Sequence, residues 1–371
     1  RTARDLSMVV VLAMLVGSCT TDRTRRAYLR ANAEHLPPPA RHVIVIPGFG
    51  VTRLFDPVTR RHVWGTARAT MHTRFEDDLD LPAGGSRDRL VPRGYTGSRG
   101  PVNTGWQITE ALRKFGGYTP DLNVHPFHYD WRLSARDNAE MLAGIVEAVS
   151  PDEKVDVVTH SAGAMVALAY VKLAGGADRV ENLVMIAPPQ RGVIDAFRIF
   201  VRPERIVRRT FAPEAVATWP SVYELLPEEG RFIVDEAGRA IDFDAWDAKT
   251  WDRAGARPNA VLLARAKQLR EDLRSIAMPP RVRTAVIAGD CVPTARRAVR
   301  RADGSFVFYP DELRAGEDHL RQILFEPGDG TVPVSSAAAG PETQLFCDGH
   351  QGIATDPNVH RALLRILGRD K

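Results

Sequence analysis

The seven residues Val158-Thr-His-Ser161-Ala-Gly163-Ala164 join an apolar run directly to a run of small residues. A serine at such a junction sits where a strand turns sharply into a helix, and its hydroxyl is pushed out above the sheet edge. The helix N-terminus then aims free N–H groups at any oxyanion forming beside it. The chemistry open to that hydroxyl is attack on a carbonyl carbon. Close crossing of strand and helix asks for small residues two places before and two after the serine. Gly163 meets that demand and Thr159 does not. His-Ser-x-Gly alone is a common accident, and a helix-capping serine explains it too, although a cap needs neither His160 nor Gly163.

A serine hydroxyl is a weak nucleophile until an imidazole takes its proton, and the imidazole needs a carboxylate to fix its tautomer. On a strand–turn–helix scaffold the acid and then the histidine follow the serine, each on a loop after a late strand. Gly328-Asp329-Gly330-Thr331-Val332-Pro333 offers an aspartate between two glycines, and Cys347-Asp348-Gly349-His350-Gln351 offers a histidine further on. Ser161, Asp329 and His350 are therefore the expected catalytic set. Asp290, at the end of Val286-Ile-Ala-Gly-Asp290, is a rival acid. His360 lies inside the last helical segment and faces solvent or packs on the core; His160 reads as a packing residue and Asp348 as a turn residue. Two backbone N–H donors complete an oxyanion hole. Ala162, next after the serine, is one. Phe49 in Pro47-Gly48-Phe49-Gly50 is the other, its ring free to line an apolar acyl pocket.

The elements that must position these residues alternate. His42-Val-Ile-Val-Ile46 reads as a buried strand stopped by Pro47-Gly48, and residues 104–115 carry Trp106, Ile108, Leu112 and Phe115 at helical spacing. Residues 122–129 read as a second strand, interrupted by Pro126. Ser134 opens a helix to about Val149, 154–159 is a third strand, and 162–173 is a helix closed by Gly175-Gly176. Residues 181–186 form a fourth strand and 281–288 a fifth. Asp356 and Pro357 begin a last helix that Gly368 ends. Strands separated by helices imply one α/β domain with a mostly parallel sheet covered on both faces. Residues 191–280, about, break the rhythm as a large insertion. Its first part, Phe197–Arg202 and Ile206–Arg209, mixes apolar residues with arginines, and Pro203 divides it into two short helices. These arginines read equally as meeting anionic head groups or as a solvated face. Trp219, Tyr223, Trp246 and Trp251 either floor an acyl channel or fill the insertion's own core.

The chain of 371 residues is 44% hydrophobic and 26% charged, enough to bury a sizeable core and too apolar for global disorder. A net charge of +4 argues against a dedicated nucleic-acid binder. The 44 arginines against 6 lysines read as compositional bias rather than phosphate recognition. Three cysteines exclude a disulfide-built mini-protein and a cysteine-rich zinc module. At the N-terminus, Arg1 and Arg4 precede the apolar run 8–16 and then Gly17-Ser18-Cys19, the pattern of an export signal too short to span a bilayer. Val16-Gly17-Ser18-Cys19 resembles the lipobox of bacterial lipoproteins. That implies a signal over 1–18, a lipid anchor on Cys19, a polar tether over 19–40 and the folded domain over 41–371. The expected location is the periplasmic or cell-surface side of a membrane, held by the anchor, or alternatively the secreted fraction.

Several segments together resemble the lecithin–cholesterol acyltransferase family, which includes lysosomal phospholipase A and bacterial lipases of α/β-hydrolase fold. They are Val45-Ile-Pro-Gly-Phe-Gly50, Phe127-His-Tyr-Asp-Trp-Arg132, Val158-Thr-His-Ser-Ala-Gly163, Ile186-Ala-Pro-Pro-Gln-Arg-Gly192, Val292-Pro-Thr294 and Gly328-Asp-Gly-Thr-Val-Pro333, with His350 before a terminal helix. The resemblance implies an α/β-hydrolase with a helical cap over the insertion, the triad Ser161, Asp329 and His350, and oxyanion donors at Phe49 and Ala162. Trp219–Pro227 resembles a segment of the family's cap. Cys291 and Cys347 fall near positions that the family bridges by a disulfide. Two departures stand out: residues 50–100 contain no cysteine for the loop that eukaryotic relatives close at lipid surfaces, and Pro188-Pro189-Gln190 alters the pocket wall. The implied activity is that of a serine-dependent lipid acyl hydrolase or acyltransferase on carboxylic esters, through an acyl-enzyme. The implied partners are an ester substrate and a membrane surface, without metal, cofactor or nucleic acid. The reading from another class is an inactive α/β-hydrolase-fold protein that binds a lipid or a protein partner.

Overall fold

The computed structural model describes residues 22–71, 79–96, 104–206, 209–338 and 342–370. Its centre is a six-stranded sheet: β1 (Val43–Ile46), β2 (Val124–Pro126), β3 (Val155–His160), β4 (Val180–Ile186), β5 (Arg283–Gly289) and β6 (Thr343–Phe346). The spatial order is β6-β5-β4-β3-β1-β2 and every pairing is parallel. Parallel strands need crossover helices, which cover both faces and so demand apolar side chains on both. Val43 and Val45 accordingly point into one core, and Ile44 and Ile46 into the other.

On one face lie α1 (Thr104–Phe115) and α4 (Pro357–Ile366), contributing Ile108, Leu112, Val359 and Leu363. On the opposite face lie α2 (Ala135–Val149) and α3 (Gly163–Leu173). Ser134 caps α2 by accepting from the Arg136 N–H, and Asp356 caps α4 by accepting from Asn358. Nearly every residue of α3 is buried, which is why its sequence shows small residues and no polar stripe.

Three features differ from the sequence reading. The second strand is only Val124–Pro126, an edge strand that tolerates Pro126 because its bonds to β1 run through Asn123 and Phe127. β6 was not anticipated: Thr343-Gln-Leu-Phe is a half-exposed edge strand too short to show a period. Residues 22–33, expected as tether, form a helix that buries Leu29 against the α1/α4 core, with Asn32 Nδ2 donating to the Arg369 carbonyl. Cys19 and the apolar run before it lie outside the described residues.

The insertion packs over the α2/α3 side and shares that side's core, since Phe197, Trp219 and Trp251 belong with Leu142 and Val166 to one continuous cluster. Ile194–Val201 is the expected first helix of its arginine-rich part. The expected second helix is instead a strand pair, Glu204–Ile206 against Arg209–Phe211. Longer helix Ala260–Ser275 closes the insertion, capped by Asn259. Ile233–Val234 pairs with Ala298–Arg300, so chain beyond β5 also contributes to the cap.

Candidate active site

The turn between β3 and α3 carries Ser161 at φ +53°, a left-handed conformation that costs an ordinary residue about 1–3 kcal/mol and marks a functional position. Two contacts enforce it. The Ser161 N–H donates to the Ile186 carbonyl of β4 at 2.9 Å. A Cβ on Gly163 would lie 2.5 Å from the Pro47 carbonyl oxygen and 2.6 Å from that of Ile46, so α3 crosses β1 only with glycine there. Thr159, the departure from the small-residue pattern, is accommodated fully buried, its Oγ1 lacking a hydrogen-bond partner.

Asp329 follows the short strand Phe325–Gly328, which pairs with Val292–Ala295. Thr294 Oγ1 accepts from the Gly330 N–H at 2.8 Å, so the Val-Pro-Thr segment steadies the aspartate's loop. Asp329 Oδ1 accepts from the N–H groups of Val332 (2.7 Å) and Thr331 (2.9 Å). Burial pushes this carboxyl up, but the neighbouring His350 and those two amides outweigh it and hold it below the usual carboxylate value. The His350 loop leaves β6 and is bound by the Cys291–Cys347 disulfide, three residues before the histidine.

These elements bring the three side chains together. His350 Nδ1 lies 2.8 Å from Asp329 Oδ2, and His350 Nε2 lies 2.9 Å from Ser161 Oγ. A carboxylate only accepts, so Nδ1 carries the proton and Nε2 is left bare to receive that of the serine. It is Asp329, and not Asp290, whose carboxylate reaches the imidazole. His350 is also held by its backbone: its N–H donates to the Asp329 carbonyl, and its carbonyl accepts from His160 Nε2 at 3.0 Å. His160 therefore supports the loop as well as packing. Burial, with the field of His350, pushes it down to about 3, so it stays neutral. His360 is buried against Phe115 and donates to the Ala354 carbonyl, away from the serine. Asp348 binds the adjacent Gly349 N–H as a turn residue.

The loop after β1 lies beside the serine: a Cβ on Gly48 would be 3.0 Å from Ser161 Cβ. Four aromatic side chains hold the carbonyls of this segment. Tyr95 donates to Val45 (2.9 Å), Tyr129 to Pro47 (2.9 Å), Trp64 to Gly50 (2.6 Å) and Trp131 to Thr52 (3.1 Å). Those four carbonyls are thereby fixed in place. Sequence reasoning missed these four residues as contributors to the site. Two of them belong to Tyr129-Asp-Trp-Arg132, whose remaining pair is a buried clamp. Arg132 is fully buried and bonds Asp130, Asp88 and the Leu79 carbonyl. Burial opposes its charge, but the two carboxylates keep it protonated.

Ser161, Ala162, His350, Gly48 and Phe49 open on a cavity of about 230 Å³ beneath the cap. Its lining is mostly apolar, with Val193, Phe211, Trp219, Val222 and Leu225 among it, and an Asp195–Arg198 ion pair (2.9 Å) interrupts it. Pro189 of the altered wall also lines it. Of the cap aromatics, Trp219 faces this cavity, whereas Trp251 packs among Phe197, Phe200 and Phe243 and Trp246 donates to the Glu228 carbonyl. Arg198 and Arg202 are engaged within the protein, Arg202 by Glu312 and the Phe306 carbonyl. A hydroxyl paired with an imidazole and an apolar recess suit attack on an acyl carbonyl.

A parallel sheet bearing a serine on its strand-to-helix turn, with acid and histidine on later loops, defines an α/β-hydrolase. The profile of the alpha/beta hydrolase family matches residues 43–323, and the chain belongs to that family. Over 249 residues it is 26% identical to an uncharacterized protein of Saccharomyces cerevisiae, YJR098C; the match covers 64% of this chain and 37% of that protein, little more than a third of its length. Among solved structures, the Tle4–Tli4 complex contains a similarly folded chain, with TM-score 0.58, 15% identity, and 89% and 99% of the two chains covered. The mature lipase BlEst2 of Bacillus licheniformis is a weaker likeness, with TM-score 0.44, 12% identity and coverages of 90% and 94%.

Proposed function

We propose that this protein is a serine-dependent carboxylic ester hydrolase that works through an acyl-enzyme, and that its substrate is a lipid or another ester with an apolar acyl group. The observation that carries this reading is the relay from Ser161 Oγ to His350 Nε2 and from His350 Nδ1 to Asp329, opening on an apolar cavity. Ser161 Oγ attacks the ester carbonyl while His350 takes its proton, and Asp329 holds the imidazolium that results. The N–H groups of Phe49 and Ala162 stabilise the oxyanion. Collapse breaks the bond to the alcohol, which leaves with the proton from His350. Water, activated by the same imidazole, then attacks the acyl-enzyme and frees the acid and Ser161.

The motif resemblance to the lecithin–cholesterol acyltransferase group supports lipid esters as the class and leaves a second alcohol as an alternative acceptor to water. The lipobox-like Cys19 supports export and attachment to a membrane surface, where such esters lie. The test is labelling by a fluorophosphonate probe, with ester turnover measured with and without an added alcohol. The wild-type chain labels and hydrolyses. Ser161→Ala loses the label, and turnover falls on the order of 10⁴–10⁶-fold. A wild-type chain that neither labels nor turns over any ester would sink the proposal.

A further inference from the structure

We propose that the acyl group accepted by Ser161 is a single straight chain of short to medium length, stopped by an aromatic wall formed by Trp219 and Phe211. The proposal rests on the ester-hydrolase reading above and specifies which esters it concerns.

The cavity lining grades from solvent to interior. Gln351 and Asp195 lie at the open side, whereas Val222, Trp219 and Phe211 are buried to 1%, 0% and 4% exposure. The buried part of the lining is therefore apolar. Trp219 is pinned there: its Nε1–H donates to the Leu79 carbonyl at 2.8 Å, the same oxygen that Arg132 holds. Phe211 packs edge-on against it with ring centroids 5.3 Å apart.

A second layer of rings stands behind the first. Trp131 meets Trp219 perpendicularly at 5.2 Å, and Trp64 lies 5.3 Å from Phe211. Neither lines the cavity, and each is tied to the loop after β1 by its indole N–H. Moving the wall thus means breaking that loop's hydrogen bonds and opening a close-packed cluster, which cores resist. The cavity volume of about 230 Å³ is below the ~300–1,000 Å³ of sites for drug-sized ligands. A cavity of that size suits one short or medium acyl chain better than a long one lying wholly inside.

The experiment is a chain-length profile with p-nitrophenyl acetate, butyrate, octanoate, laurate and palmitate. On the wild-type chain kcat/KM peaks at butyrate to octanoate and is at least about tenfold lower for palmitate. Trp219→Ala raises the palmitate-to-butyrate ratio about tenfold. Ala196→Leu, which adds bulk to the cavity wall, shifts the peak toward acetate. Because Trp219 is buried and its replacement can unfold the cap, Ala196→Leu stands as the independent arm. Equal rates on octanoate and palmitate in the wild type overturn the wall while leaving the hydrolase reading intact, as does an unmoved ratio in either folded variant. A chain inert on the whole series overturns both.

Discussion

The Tyr129 hydroxyl illustrates how a residue outside the triad bears on it, by fixing the Pro47 carbonyl in the segment whose Gly48 packs beside Ser161. Tyr129→Phe removes that hydrogen bond alone. It is expected to lower kcat by up to about tenfold with KM little changed, since a neutral hydrogen bond contributes about 0.5–1.5 kcal/mol and the oxyanion exists only in the transition state. Glu224 bears on stability instead. Buried in the cap, it accepts from Ser134 Oγ and the Ala135 N–H at the start of α2, and burial pushes it up to about 7 despite those bonds. Between its ordinary 4.5 and 7 the folded chain binds the extra proton, so this group's contribution to stability is full below 4.5 and is lost as pH rises through 7. Buried His160, pushed down to about 3, acts oppositely, its contribution growing as pH rises from 3 to 6.5. The difference between Glu224→Gln and wild type isolates the carboxyl. In denaturant titrations the variant should gain on the order of 3 kcal/mol relative to wild type between pH 5 and 8.

At the scale of elements, the His350 loop is fastened at three points: the Cys291–Cys347 disulfide, the Asp329 carbonyl and His160. The disulfide links the chain just after β5 to the histidine loop just after β6, and the acid loop after Phe325–Gly328 lies against both. Gly289 marks how closely they converge, since a Cβ there would lie 2.7 Å from Asp329 Cβ. The double variant Cys291→Ser/Cys347→Ser is expected to lose about 2–4 kcal/mol of stability. Its ester turnover should fall while the fluorophosphonate label persists at a slower rate. Turnover and labelling rates equal to wild type would show that the other two fastenings suffice.

For the whole molecule, cap and body have one core rather than two. Phe197, Trp219 and Trp251 are continuous with the α2/α3 face of the sheet, and Glu224 and Trp219 bond directly to the body. A cap so joined behaves as part of the fold and not as a loosely hinged lid. Urea unfolding should therefore give coincident transitions by tryptophan fluorescence, which reports Trp219 and Trp251 together with Trp64 and Trp131, and by far-ultraviolet circular dichroism. A tryptophan transition at distinctly lower urea would show the cap opening separately.

The alternation of strand and helix, the serine at its strand-to-helix junction and the order serine, aspartate, histidine were all legible in the chain itself. Each depends on local physics: apolar periodicity, capping residues and the glycine that a tight crossing needs. What the tertiary structure decided was every relation between segments distant in sequence. Asp329 and Asp290 are both carboxylates at strand ends, and only the convergence of two loops at Gly289 selects between them. The edge strand Thr343–Phe346 is four residues long, and its conformation comes from pairing with β5. Tyr95 and Trp64 carry no mark in the sequence, and Tyr129 and Trp131 stand out only as part of a resembling segment, because their hydrogen-bond partners are backbone carbonyls, identical at every position, which only proximity in the folded chain can single out.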